Sequence, residues 1–182
     1  EMCIRDRSAA LTWLADCGLS VPRFVRYPAE ATDEEGLAAD LAAFGPPWVV
    51  KLDVAIGGKG KRGLVMVVEN LAQLHGTVTH LRNIGAETLR CSDLVIEQYV
   101  TGDECYVSVT LDELARSPLI RVASTGGIDF NPISGAAAVA VPFSRGLVDA
   151  DIAELLNAAR IPLGPQRIAL AESITVLWTA FM

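Results

Sequence analysis

The 182-residue sequence predicts an α+β fold, and three observations carry that prediction. Runs rich in β-branched residues and runs with helical spacing are interleaved without the regular strand–helix alternation of a doubly wound sheet. Three strand-like segments, 93–100, 104–112 and 118–124, follow one another directly. Two further apolar runs, 48–52 and 63–68, are joined by a glycine-rich connection, which makes a hairpin rather than a crossover. Half of the chain is apolar (51%), enough for a core in one domain or in two small lobes.

Residues 1–7 lack the apolar pattern that begins at Ser8, and MCIRDR (2–7) matches one reading frame of a common sequencing-library adapter. They are treated as a non-native scar and carry no weight in the fold prediction. Residues 8–17 read as a short helix, closed at Cys17-Gly18, and Val21-Pro22 forces extended backbone into a strand "RFVRY". A helix over 32–43 opens on Thr32 with acids in its first turn, and Gly45-Pro46-Pro47 stops it. After the hairpin a helix runs from near Asn70 to about Asn83, and the three successive strands come next. A glycine-rich loop spans 126–135, and helices return at 149–159 and from 165 onward. The chain stops at Met182 inside a helical pattern, so it reads as a fragment of a longer protein.

A net charge of −7 and a pI near 4.8 argue against a general nucleic-acid binder, whose affinity comes from massed Lys and Arg. Cys3, Cys17, Cys91 and Cys105 form no CxxC pair and have no histidine at ligand spacing, so neither a zinc site nor a disulfide framework is indicated. A reduced, cytoplasmic setting is the default. No apolar run reaches the ~20 residues of a membrane span, the closing run being broken by Glu172 and several hydroxyl residues. His75 and His80 lie five apart on a helix and read as surface residues.

All three lysines of the chain, Lys51, Lys59 and Lys61, fall in the hairpin 49–68, while every basic residue outside it is arginine. A lysine ammonium is a compact point charge for a phosphate, and a glycine-rich tip brings backbone N–H groups against an anion. The stretch is neither a Walker A loop nor a dinucleotide fingerprint, because the glycine loop joins two strands. The competing reading is a solvated hairpin whose glycines serve the turn and whose lysines protect an edge. Lys51, at the end of an apolar strand, favours the phosphate, since a charge there is costly without an anionic partner.

"PPWVVKLDVAIGGKGKRGLVMVV", with "GLSVPRF" before it and "LVIEQYVTGDECYVSVTLD" and "ASTGGIDF" after it, resembles the ATP-grasp segment of the succinate–CoA ligase β subunit and of ATP-citrate lyase and citryl-CoA synthetase. The resemblance covers about residues 10–160. It implies an ATP-grasp fold, two α+β lobes with the nucleotide between them: 21–90 as the smaller lobe with the hairpin, and 8–20 plus 91–182 as part of the larger. By the same resemblance Lys51 reaches the nucleotide phosphates as the catalytic lysine, and Gly58, Lys59 and Gly60 close over them. Glu97 and Val100 lie on the hinge strand that holds the adenine, and Glu104 accepts from the ribose hydroxyls. Taken without the resemblance, Glu97 also fits an outward-facing surface acid and Glu104 an acidic turn with Asp103.

The implied activity is that of an ADP-forming acid–thiol ligase, which couples ATP cleavage to thioester formation between a small carboxylic acid, succinate or citrate, and CoA. The implied partner is a CoA-binding α-type subunit or domain in a hetero-oligomer, with no nucleic acid and no membrane. The sequence departs from the succinate type at Gly63-Leu64-Val65, where a pair of glycines is usual, and from "EGGVxIE" at Thr125–Asn131, and it leans towards the citrate type. The family's magnesium ligands lie on an "EINPL" segment and a later Asp, so the Mg2+ site is expected beyond Met182 and the fragment alone to be inactive. Two other readings stay open: a carboxylate–amine ligase of the same fold, and a nucleotide-binding module without chemistry.

Overall fold

The computed structural model describes residues 7–56, 58–127 and 131–182, apart from the side chains of Glu34 and Pro132. They form two compact units: 7–16 with Ser20–Thr101, and Cys17–Leu19 with Gly102–Met182.

The first unit runs α1 (Arg7–Asp16), β1 (Phe24–Tyr27), α2 (Glu34–Ala42), β2 (Trp48–Leu52), a 3-10 turn at Gly60–Arg62, β3 (Val65–Val68), α3 (Leu71–Leu89) and β4 (Leu94–Gln98). Its antiparallel sheet has the order β1-β4-β2-β3. Trp48, Val50 and Leu52 of β2 and Leu94 and Ile96 of β4 pack with Leu37 and Leu41 of α2 and Leu74 and Leu81 of α3. Each fully buried leucine in this layer contributes about 1.5–3 kcal/mol. Strand alternation then puts Val49, Lys51, Val95 and Glu97 on the opposite face.

Three local expectations are corrected. Asp33, not Thr32, caps α2, its carboxylate accepting from the Gly36 N–H at 2.8 Å. The α3 helix does start after Asn70, which accepts from the Gln73 N–H at 2.9 Å, but it continues to Leu89. Its last turns are held by packing: Ile84 and Leu89 join the core, and Gly85 sits so close that a Cβ there would lie 2.0 Å from the Cys91 carbonyl oxygen and 2.7 Å from Leu52 Cδ2. Third, α1 and β4, expected with the other lobe, fall in this unit. The reason is hydrogen bonding: β4 is the strand between β1 and β2, and the first residues of α1 bond to Asp53.

The second unit contains β5 (Tyr106–Asp112), β6 (Ser117–Ala123), the short helix α4 (Pro132–Gly135), β7 (Ala137–Ala140), α5 (Asp149–Ala158) and α6 (Pro165–Phe181). An antiparallel sheet of order β5-β6-β7 packs Ile120 and Val122 against Ile152, Leu155, Leu156 and Ile174. The sequence predicts no strand at 137–140, because three alanines around the single Val139 carry only a weak β signal; pairing with β6 makes it one. Asp151 anchors the start of α5, accepting from the Val148 N–H at 3.1 Å and from both terminal nitrogens of Arg145 at 2.9 Å. Among the described residues no helix is long and apolar enough to cross a membrane.

Candidate functional site

Lys51 is the fourth of five residues in β2 and points away from the helix-covered face. Glu97 projects from the adjacent β4 on the same side, and Lys51 Nζ donates to Glu97 Oε2 at 2.8 Å. Glu97 is only 2% exposed, so the outward-facing reading of this acid is overturned; simple alternation does not reveal that both faces of β4 are covered. Arg7, the last residue of the apparent scar, donates Nε to Oε1 at 2.9 Å and Nη2 to Oε2 at 3.2 Å of the same carboxylate.

A second acid, with no signal in the sequence, completes the cluster. Asp53 follows Lys51 by two residues, is 5% exposed, and accepts from the Arg7 N–H at 2.7 Å, the Ser8 N–H at 3.0 Å and the Ser8 hydroxyl. It therefore caps α1 from another segment, a long-range pairing that leaves no local trace. Lys59 folds back over this end of β2 and donates Nζ to the Leu52 carbonyl at 3.2 Å.

Three cations, Arg7, Lys51 and Lys59, thus face two carboxylates, Glu97 and Asp53. Arg26, 3.9 Å from Asp53 and 3.3 Å from Asp93, adds one charge of each sign and leaves the excess positive. Burial pushes the Lys51 ammonium below the usual lysine value, opposed by its bond to Glu97. Burial lowers Lys59 likewise, against the pull of Asp53 and with added repulsion from Arg7 and Lys51. Burial alone would raise the Glu97 carboxyl, but the bonds from Arg7 and Lys51 outweigh it and hold it below the ordinary carboxylate range. The arrangement is a partly desolvated site with surplus positive charge, able to attract an anion and to exchange a lysine from Glu97 to it.

The connection between β2 and β3 turns on two glycines in the left-handed region. Gly58 has φ +67° with open space around it, and Gly63 has φ +69°. Between them the Arg62 N–H and Leu64 N–H both return to the Lys59 carbonyl, at 3.1 and 3.0 Å, and the Gly63 N–H to that of Gly60 at 3.1 Å. Gly57 lies outside the described residues.

Val100 follows β4, is 63% exposed, and its backbone makes no hydrogen bond among the described residues. The two residues before it are tied down, the Gln98 N–H to Arg23 O at 2.7 Å and the Tyr99 N–H to Pro47 O at 3.2 Å.

Glu104 belongs to the second unit. It lines a cavity of about 400 Å³ with Asp103, Cys105, Ser124, Thr125 and Gly126. The glycines of "TGG" lie close against Glu104: Gly127 has φ +94° and a Cβ there would meet Glu104 Oε2 at 2.6 Å, while one on Gly126 would sit 3.2 Å from Glu104 Cβ. Two motifs that are separate in sequence, "GDEC" and "STGG", are therefore one structural element. Residues 128–130 of "GGIDF" lie outside the described residues. No group of three or more His, Cys, Asp or Glu that could hold a metal occurs among the described residues.

Two mixed helix-and-sheet units, one carrying a lysine-bearing glycine hairpin, define the class of fold. The chain belongs to the ATP-grasp domain family, whose model matches residues 9–182. It is 30% identical over 158 residues to the succinate–CoA ligase [ADP-forming] β subunit of Burkholderia thailandensis, covering 80% of this chain and 40% of that protein. The chain thus spans about 40% of the length of that relative. Among solved structures it superposes on ATP citrate lyase from Methanothrix soehngenii, in complex with citrate and coenzyme A, with a TM-score of 0.68 and 25% identity over 93% of this chain and 40% of that one. A Pyrococcus horikoshii Ot3 protein gives a TM-score of 0.76 at 17% identity, over 96% of this chain and 77% of that one, which shows the shared fold.

Proposed function

We propose that this chain is the ATP-binding portion of an ADP-forming carboxylate–CoA ligase of the succinate–CoA ligase β subunit or ATP-citrate lyase kind. The observation that carries the reading is the pair of partly desolvated lysines, Lys51 and Lys59, at the root of the glycine hairpin. Phosphoryl transfer asks the protein mainly for positioning and charge neutralisation.

Lys51 holds the transferring end of the phosphate chain, exchanging Glu97 for a phosphate oxygen. Gly58, Lys59 and Gly60 close over the phosphates, with Gly58 already in the left-handed region that lets backbone N–H groups turn towards an anion. The open backbone of Val100 reads the adenine edge, and Glu97 acts on this strand through Lys51 rather than through the base. Glu104 accepts from the ribose hydroxyls. The bound nucleotide supplies the phosphoryl group; Mg2+, CoA, a small carboxylic acid and a CoA-binding α-type partner complete the activity.

The test is titration of the chain with a fluorescent ATP analogue at low salt, followed by displacement with ATP. Saturable binding that Lys51→Ala weakens about tenfold or more, with an unchanged circular dichroism spectrum, is the expected result. Equal binding in Lys51→Ala removes the lysine from the phosphate site and with it the reading. In a protein extended to full length, ADP formation that depends on CoA rather than on an amine separates this activity from that of a carboxylate–amine ligase.

A further inference from the structure

We propose that the first unit holds a second anion site, independent of the lysine hairpin: a cavity between α2 and α3 that takes a small carboxylate with a short apolar tail on Arg82. The cavity has a volume of about 250 Å³. That is below the range of drug-sized ligand pockets, roughly 300–1,000 Å³, and suits a molecule of few heavy atoms.

Arg82 is the centre of the argument. Its Nη1 and Nη2 donate to the carbonyl of Ala31 at 3.2 Å, and Nη2 also to that of Pro28, while the guanidinium lies 4.4 Å over the Tyr27 ring. These contacts fix the plane of the fork but neutralise none of its charge, and no carboxylate pairs with Arg82 among the described residues. Its Nε is buried and has no hydrogen-bond partner among them. A half-buried cation without a counter-ion is costly, and with Nη2 spent on two carbonyls and Nε buried, the second Nη1 hydrogen remains for one oxygen of an anion.

The surroundings are polar and, among the described residues, free of acids. His75, Thr79 and Arg82 are spaced four and three apart and so share one face of α3, and all three line the cavity. Asn83 and Thr32 line it as well, and neither side chain makes a hydrogen bond among the described residues. No aspartate or glutamate lines it among the described residues. Tyr27, Leu37 and Val78 give the remaining wall an apolar character, which favours a carboxylate carrying a tail over a bare inorganic ion. Tyr27 and Leu37 belong to the core on the helix side of the sheet, whereas Lys51 lies on the other side, so the sheet separates the two sites.

The experiment records the thermal midpoint and the amide NMR spectrum of the whole chain with butyrate, with butyramide as its neutral isostere, and with inorganic phosphate. Butyrate should raise the midpoint saturably and shift the amides of Thr32, Asn83 and the second half of α3, while butyramide should not. Arg82→Met should weaken butyrate roughly tenfold. Because Arg82 also clamps the 28–31 turn, Asn83→Ala serves as the milder variant and should weaken butyrate several-fold without altering the unliganded midpoint. Lys51→Ala should leave the butyrate response intact. An equal response to butyramide, an unchanged response in both Arg82→Met and Asn83→Ala, or loss of the response in Lys51→Ala would each overturn the proposal. A phosphate response equal to that of butyrate would overturn the assignment to carboxylates.

Discussion

A double-mutant cycle on Lys51 and Glu97 tests whether the hairpin cluster is held by a true buried pair. Glu97 is 3% exposed in its side chain and Lys51 17%, with Nζ and Oε2 2.8 Å apart. A pair this dry lies outside the regime of surface ion pairs, which contribute about 0–1 kcal/mol. Hydrogen bonds to charged groups contribute about 1.5–3 kcal/mol, and breaking a buried pair on one side costs about 3–5 kcal/mol because the surviving charge stays stranded. Here Arg7 remains on Glu97 in Lys51→Met, and its side chain is 42% exposed, so that single variant should lose less than Glu97→Gln, which strands Lys51 beside Lys59 and Arg7. The expected values are about 1–2 kcal/mol for Lys51→Met and about 3 kcal/mol for Glu97→Gln, with a coupling of about 1.5–3 kcal/mol recovered in the double variant. Urea unfolding monitored by tryptophan fluorescence supplies the numbers, with Trp48 buried in the same unit. A coupling below about 0.5 kcal/mol would mean that the two side chains are effectively solvated, and the argument that this site is desolvated would fail with it.

Acid should destabilise both units. The Glu97 and Asp151 carboxyls are held low in the folded state, the first by Arg7 and Lys51 against burial, the second chiefly by Arg145. A lowered folded value gives stability that is complete above the unfolded value, near 4.5 for Glu97 and 3.8 for Asp151, and that is lost as pH falls through the folded one. Denaturant midpoints measured from pH 7 to 3 should therefore fall mainly below pH ~4.5, and Glu97→Gln should flatten that fall in the first unit. Gly127→Ala should cost about 1–3 kcal/mol, since φ is +94° and the new Cβ meets Glu104 Oε2 at 2.6 Å. Adding Glu104→Ala should recover only the steric part, and full recovery would show that the backbone is unstrained. Gly85→Ala places a methyl 2.0 Å from the Cys91 carbonyl and should cost at least about 3 kcal/mol, read as a lowered thermal midpoint; a neutral result would mean that the last two turns of α3 are free to shift.

How much of this is legible in the sequence depends on the range of the interaction concerned. β2 is found residue for residue, because WVVKL concentrates β-branched and aromatic residues between Pro47 and the glycine loop. The sequence ends α3 near Asn83, six residues early, because the extra turns rest on long-range packing: Gly85 allows the close approach of Leu52 and Cys91. Lys51 stands out by its cost on an apolar strand, which is a local argument and needs no partner. The partner itself comes from β4, 46 residues away, and nothing local separates a buried Glu97 from an exposed one. Asp53 escapes notice for the same reason: its three donors come from Arg7 and Ser8 at the start of α1, 45 or 46 residues earlier in the chain.

The cluster also gives a physical reason for lysine at 51 and 59 in a chain that uses arginine outside the hairpin. Arg7 meets Glu97 with two nitrogens, a bidentate geometry that holds the carboxylate and would be slow to let go. Lys51 meets it with a single point charge on a flexible stem, which can swing to a second anion without re-fitting a planar fork. Burial has already removed part of the ammonium's water, so the main cost of binding is the exchange of one carboxylate oxygen for one phosphate oxygen. The carboxylate therefore works as a stand-in anion that keeps Lys51 oriented. Arginine at 51 would bind the same anions, but it would bring a second fork to a carboxylate whose two oxygens are already engaged.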